Sequence, residues 1–337
     1  MSMMLAAMLV LPALLLGCAA SGTGQGPGER RGEVATAPVR ALGLAHHHVN
    51  IALGRYHWGV GDAAEIVPTA AARVSDACSG DRAAVTWLGH SSAIISIGGR
   101  CLLTDPVLEP RPSTVSPLPQ RLVDIPIRVD DLPEIDAVVL SHGDYDHLHL
   151  PTMTALARRF PELEVLVPPG VTGIVRQAGP VRIIRPRLGA PTQFQGLTIT
   201  AEPAHHETRR NLTALKTGDA FSWVITDGRK KILFIGDTGY GPAFRQIGRS
   251  HGPVDLLLVP IGAYEPRELV ADMHVNPEEA VRIAREVGAR LAIGIHWGTF
   301  KLSPERPSDT VRRFRQAGRE IGVKVTVLPI GETVAVP

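Results

Sequence analysis

From about residue 83 onward the chain alternates short apolar runs with amphipathic stretches, and many of the runs stop abruptly at polar residues. Residues 85–88, 93–97 and 101–104 read as three strands, and the Gly98-Gly99 pair is a hairpin signal, so an antiparallel meander is expected. The pattern then becomes strand at 137–140, helix at 152–160, strand at 164–167, helix at 171–177 and strand at 181–184. A second half repeats the style. It has a strand at 197–200, a hairpin of 223–226 and 232–235 about Asp227-Gly228, and a strand at 256–260. A helix follows to about residue 287, with Asn276 as cap, Pro277 first and Glu279 three residues past the cap. A strand at 291–295, a helix at 308–321 and a strand at 323–328 complete it. Strands alternating with helices place the chain in the α/β class.

Four of the apolar runs end in residues that bind metals. Residues 137–140 lead into Ser141-His142-Gly143-Asp144-Tyr145-Asp146-His147-Leu148, the 197–200 strand leads to His205-His206, 232–235 to Asp237 and 291–295 to His296. Ionisable groups gathered beside buried strands are costly unless something neutralises them, and a divalent cation does so directly. Sites in layered α/β folds form at one sheet edge, outside the strand ends. One shared metal site is therefore expected. Each residue alone has a plainer account: Asp144 or Asp146 as cap of a helix with Pro151 in its first turn, His206 as one of a surface pair, Asp237 as a turn former, His296 as a core histidine.

Composition narrows the class. With 337 residues, 44% hydrophobic, and a formal charge of +2, the chain suits a full core and neither disorder nor a strongly basic nucleic-acid binder. The Arg pairs at 158/159, 209/210 and 312/313 are scattered and read as solvated faces, so no nucleic-acid partner is expected. Residues 5–16 form an apolar stretch too short to span a bilayer, ending in Leu15-Leu16-Gly17-Cys18, which resembles a bacterial lipobox. That makes residues 1–17 a lipoprotein signal peptide, Cys18 the lipidated first residue, and residues 18–40 a flexible tether. The expected location is the bacterial cell envelope, anchored to a membrane surface and facing the periplasm or exterior. An ordinary cleaved signal peptide is the alternative, since no Lys or Arg precedes the run. Residues 41–82 read as an N-terminal extension packed on a hydrolase body of residues 83–337. Cys78 and Cys101 could pair in an oxidising compartment, whereas its place at the head of an apolar strand makes Cys101 a small buried hydrophobe. His46-His47-His48 cannot all point one way and read as surface or rim; His149, His205 and His251 read as surface.

Several ordered motifs share a family likeness: Trp87-Leu88-Gly89-His90-Ser91-Ser92, Thr104-Asp105-Pro106, the 141–148 stretch, Pro203-Ala204-His205-His206, Gly236-Asp237-Thr238, His274-Val275-Asn276-Pro277-Glu278-Glu279-Ala280 and Ile295-His296-Trp297-Gly298-Thr299-Phe300. Together, over roughly residues 46–330, the chain resembles the metallo-β-lactamase superfamily, most of all its branch containing N-acyl-phosphatidylethanolamine-hydrolysing phospholipase D. The resemblance implies a four-layer αββα sandwich with a binuclear centre at one edge. His142, Asp144 and His206 would hold one ion, Asp146, His147 and His296 the other, and Asp237 would bridge them. Asp144 departs from the family pattern H-x-H-x-D-H; a carboxylate there makes Mn or Fe more competitive with Zn, the first expectation. The implied reaction is hydrolysis of a lipid or small-molecule phosphodiester by metal-activated water, with Asp146 orienting the nucleophile and His274 binding or protonating the leaving group. His90 would be a supporting or purely structural residue. Two other readings are a lactone or ester hydrolase on the same centre, and a membrane-tethered binding protein whose metal site has degraded.

Overall fold

The structure, a computed structural model, describes residues 43, 44, 46, 47, 49–51, 55, 74–112, 121–123, 125, 127–208, 210 and 218–337. The chain divides into Met1–Ala35, outside the described residues, and Thr36–Pro337, which holds all that follows. The expected signal peptide, Cys18, the tether, His48 and most of the 41–82 extension also fall outside the described residues. No helix among the described residues is long and apolar enough to cross a membrane.

In chain order the elements are β1 (Ala84–Gly89), β2 (Ser92–Ile97), β3 (Arg100–Thr104), β4 (Ala137–Val139), α1 (Leu150–Arg159), β5 (Glu164–Leu166), α2 (Thr172–Val175), β6 (Arg182–Ile184), β7 (Pro191–Phe194), β8 (Leu197–Glu207) and β9 (Asp219–Thr226). There follow β10 (Lys231–Ile235), α3 (Ala243–His251), β11 (Leu256–Pro260), α4 (Arg267–Val270), α5 (Pro277–Glu286), β12 (Leu291–Ile295), α6 (Pro307–Ile321), β13 (Val325–Thr326) and β14 (Thr333–Ala335). The strands form two mixed sheets, ordered β14-β1-β2-β3-β4-β5-β6 and β13-β12-β11-β10-β9-β8-β7. Each begins as an antiparallel meander and continues as parallel strands. Parallel neighbours need a crossover connection, and α1, α3, α5 and α6 lie in those crossovers, which gives the αββα layering.

Local chemistry explains the turns. Gly98 and Gly99 both take positive φ, +57° and +72°, the geometry of a two-residue hairpin between Ile97 and Arg100. The Asp227-Gly228 signal closes a four-residue loop instead, in which Asp227 Oδ1 accepts from the Arg229 and Lys230 amides at 2.8 and 2.7 Å. Asn276 and Glu279 make the expected capping box on α5, at 2.9 and 3.0 Å. The expected strand at 323–328 shortens to β13, because only Val325 and Thr326 pair with β12.

One apolar core fills the space between the sheets, with Trp87, Trp223, Phe234 and Leu102 fully buried. Burying one such side chain contributes roughly 1.5–3 kcal/mol. Two bonds tie the sheets together at the end of β4: Trp223 Nε1 donates to the Leu140 carbonyl at 3.1 Å, and the Phe221 amide to the Ser141 carbonyl at 2.8 Å. At the foot of the first sheet a disulfide joins Cys78 to Cys101. Cys101 is buried as its apolar setting required, and bonded as well.

Strand direction decides where the polar strand ends meet. In the first sheet β1, β3 and β4 run the same way, so the residues after them, His90, Asp105 and the 141–147 loop, leave at one edge. In the second sheet β8, β10, β11 and β12 share a direction, which brings His206, Asp237 and His296 to one edge too.

Candidate metal centre

The two edges face each other, and the close approach is written in a glycine. A Cβ on Gly236, just before Asp237, would lie 2.3 Å from both Cβ and Oγ of Ser141, so no other residue brings β10 this near the 141–147 loop. Asp237 then stands among imidazoles from both sheets. Its Oδ1 is 3.0 Å from His296 Nε2, and its Oδ2 is 3.3 Å from His147 Nε2, 3.7 Å from His274 Nδ1 and 4.0 Å from His142 Nε2. Asp144 Oδ2 is 3.2 Å from His206 Nε2 and 3.5 Å from His142 Nε2. Asp146 Oδ2 is 3.7 Å from both His147 Nε2 and His296 Nε2.

The outer hydrogen bonds fix which ring nitrogen faces inward. Asp105, fully buried, accepts from the Ser141 amide at 2.7 Å, the Ser141 hydroxyl at 2.5 Å and His147 Nδ1–H at 2.8 Å. With its proton given to Asp105, the Ser141 hydroxyl can only accept at 2.8 Å from His142 Nδ1–H. The Met273 carbonyl likewise receives His206 Nδ1–H at 3.2 Å. His142 and His147 therefore present Nε2 to the centre, as metal-binding imidazoles do, while His206 Nε2 also faces inward and donates to Asp144 Oδ2 at 3.2 Å.

At His142 and His147 this sets acceptor against acceptor. The Nε2 atoms of His142, His147 and His296 and Asp237 Oδ1 are buried without a hydrogen-bond partner among the described residues. Only cations resolve this, either protons or metal ions. Burial drives imidazoles to shed protons, yet the carboxylates prevail at three of them: His147 is raised well above its ordinary value by Asp237 and Asp146, His206 is raised by Asp144, and His296 is pushed up to about 9 by Asp237 and Asp146. Burial also opposes ionisation of the acids, and again the pairs win. Asp144 is held low by His142 and His206, Asp146 by His147, His296 and His90, and Asp237 by His296 and His147. Protonated His147 and His296, with the His206 N–H on Asp144, thus stand in where divalent ions would neutralise Asp144, Asp146 and Asp237. The donor set fits two borderline or hard divalent ions.

Backbone strain collects here as well. Asp105, His90 and His296 take φ of +32°, +52° and +60°, conformations that side-chain-bearing residues avoid unless their surroundings impose them.

A family model described as a beta-lactamase superfamily domain matches residues 100–297, a span that runs from β3 to the residue after His296. The chain belongs to that superfamily. It is 42% identical over 262 residues to an uncharacterized protein of Mycobacterium tuberculosis, covering 75% of this chain and 68% of that one. It is 32% identical over 251 residues to N-acyl-phosphatidylethanolamine-hydrolyzing phospholipase D 1 of Caenorhabditis elegans, covering 70% of each. Among solved structures, the metallo hydrolase Igni18 of Ignicoccus hospitalis superposes with a TM-score of 0.58 at 22% identity, over 76% of this chain and 98% of that one. The protein is a metal-dependent hydrolase of the metallo-β-lactamase fold, with a His/Asp cluster able to bind metal.

Within that superfamily fold, all seven side chains expected as ligands, His142, Asp144, Asp146, His147, His206, Asp237 and His296, converge, and His274 joins them. The plainer account of Asp144 and Asp146 as helix caps fails, because the cap of α1 is His149, whose Nδ1 accepts from the Thr152 amide at 3.3 Å. His149 is accordingly buried rather than on the surface. His251 is also drawn in, 2.7 Å from Glu202, and His47 is buried where the rim was expected; His205 and His46 are exposed. Two residues of the site were missed. Asp105 and Ser141 were legible only as a strand stop and a loop opener, although Asp105 ends an apolar run just as Asp237 does.

Proposed function

We propose that the protein is a phosphodiesterase that cleaves a phospholipid-like substrate at a binuclear centre. The observation that carries the hydrolytic centre is the set of buried Nε2 atoms, without hydrogen-bond partners among the described residues, turned on Asp237 from both sheets. Identity to the phospholipase D of Caenorhabditis elegans over most of both chains supports the phosphodiester.

His142, Asp144 and His206 would hold one ion, Asp146, His147 and His296 the other, with Asp237 between. When bound, the pair lowers the pKa of water and neutralises the anionic phosphodiester, so hydrolysis runs near neutral pH. The remaining work falls to the chain. Asp105 and Ser141 keep His142 and His147 in the correct tautomer. Asp146 accepts a hydrogen bond from the attacking water and so aims it at phosphorus. His274 is the one imidazole of the cluster with a side chain partly open to solvent, 15% exposed, which places it toward the substrate. Burial pushes it down to about 3, so it is neutral at pH 7 and binds a substrate oxygen through an N–H rather than delivering a proton.

A lipidated Cys18 on a tether would hold this centre near the bilayer that contains its substrate. The test is to incubate purified protein with vesicles containing an N-acylated phosphatidylethanolamine and, separately, with a lactone panel. Formation of phosphatidic acid together with an equal amount of the N-acylethanolamine leaving group is expected. Inert phosphodiester with rapid lactone opening would overturn the substrate reading in favour of an ester hydrolase on the same centre.

A further inference from the structure

The polar supports of the centre are unevenly shared. His142, His147 and His206 each have an outer hydrogen bond on Nδ1, but His296 Nδ1 is buried without a partner among the described residues. Something else must hold the His296 ring. His90 lies against it, with ring centroids 4.0 Å apart, and the His90 carbonyl accepts from the His296 amide at 2.9 Å. The same His90 ring meets the 141–147 loop of its own sheet, where Nε2 lies 2.9 Å from Asp146 Oδ2. Since a carboxylate only accepts, Nε2 carries the proton and donates it. His90 itself has no freedom: its amide donates to Thr299 Oγ1 at 2.8 Å, its carbonyl also accepts from Trp87 Nε1 at 2.9 Å, and Phe300 closes on the ring edge at 5.0 Å. It is buried, and its left-handed backbone is imposed by these bonds.

We infer that His90 is a positioning residue for one ion alone, clamping Asp146 by a hydrogen bond and His296 by ring packing so that two ligands from different sheets meet the same ion. The inference rests on the binuclear reading above. It makes the two positions unequal: the ion held by His142, Asp144 and His206 does not depend on His90, whereas the ion held by Asp146, His147 and His296 does.

The test titrates metal-free protein with Zn(II), and with Co(II) to follow visible absorption, in wild type, His90→Asn and His90→Gln. Asn accepts the left-handed backbone and keeps all the main-chain bonds, but is too short to reach Asp146. The expected result is two ions bound by wild type, and in His90→Asn one ion unchanged and the other weakened about 10–100-fold, with loss of one cobalt band. Gln, whose amide N–H can reach Asp146, should recover part of the loss. Equal weakening of both ions, or two unchanged ions in His90→Asn, would overturn the inference. Fewer than two ions in wild type would instead overturn the binuclear reading beneath it. Should Asn fail to fold, the Gln variant carries the same comparison.

Discussion

Asp144 is the residue at which this chain departs from the H-x-H-x-D-H pattern of the family it resembles, and its carboxylate lies 3.2 Å from His206 Nε2 and 3.5 Å from His142 Nε2. A third facing carboxylate makes this half of the centre harder and more anionic. Asp144→His should therefore raise the preference for Zn(II) over Mn(II) by about tenfold or more, measured by competition with a metal indicator. An unchanged ratio would show that Asp144 does not face an ion. Protons report on the same residues. Metal-free protein at pH 7 keeps His147 and His296 charged, and bound ions must displace those protons, so loading should release about two protons. Calorimetry in two buffers of different ionisation enthalpy measures this, and affinity should climb as pH rises from about 6 to 9. The sign for stability is opposite. His296 is raised from 6.5 to about 9, so its contribution to the metal-free fold is complete below 6.5 and fades as pH rises through about 9.

Among the elements, β10 shows how a strand end positions a ligand. The run Ile232, Leu233, Phe234, Ile235 is fully buried, Gly236 allows contact with Ser141, Asp237 enters the centre, and Thr238 Oγ1 accepts from the His205 amide at 2.9 Å beside the next ligand. Gly236→Ala must push Asp237 away from His142. We expect about 1–3 kcal/mol lower stability in urea and weaker binding of both ions; wild-type binding of both would show that the edges can part without consequence. The Cys78–Cys101 disulfide closes a loop with a sequence separation of 23 beneath β3, the strand that delivers Asp105. Cys78→Ser should cost roughly 3 kcal/mol in denaturant unfolding under oxidising conditions, and the two proteins should converge when a reductant is added. Most strands that were legible in the sequence are continuous buried runs, whereas β6 and β13 were legible from apolar residues that are only partly buried. The elements that were not, β7, α3, α4 and β14, are short or carry few buried residues: α3 buries only Phe244 and Ile247, and β14 exists because Thr333–Ala335 finds β1 nearly 250 positions away.

At the scale of the whole molecule, the two sheets repeat one plan, meander then parallel strands, and each sends its like-directed strand ends to the shared edge. This is why the clustering of these His and Asp residues could be read before the fold was known: abrupt apolar stops mark strand ends, and His or Asp at several such stops marks one edge. Asp105 escaped because its signal was a single residue that resembled a strand stop before proline, and His90 was read as supporting or structural without a partner, until topology showed that β1 and β3 run with β4. The most direct measurement is hydrolysis of a model phosphodiester while metal-free protein is titrated with Zn(II). The account predicts a rate that rises until two ions are bound per chain and then levels, and that is abolished in Asp237→Ala. A rate that levels at one ion, or a fully loaded protein that leaves the phosphodiester intact, would contradict it.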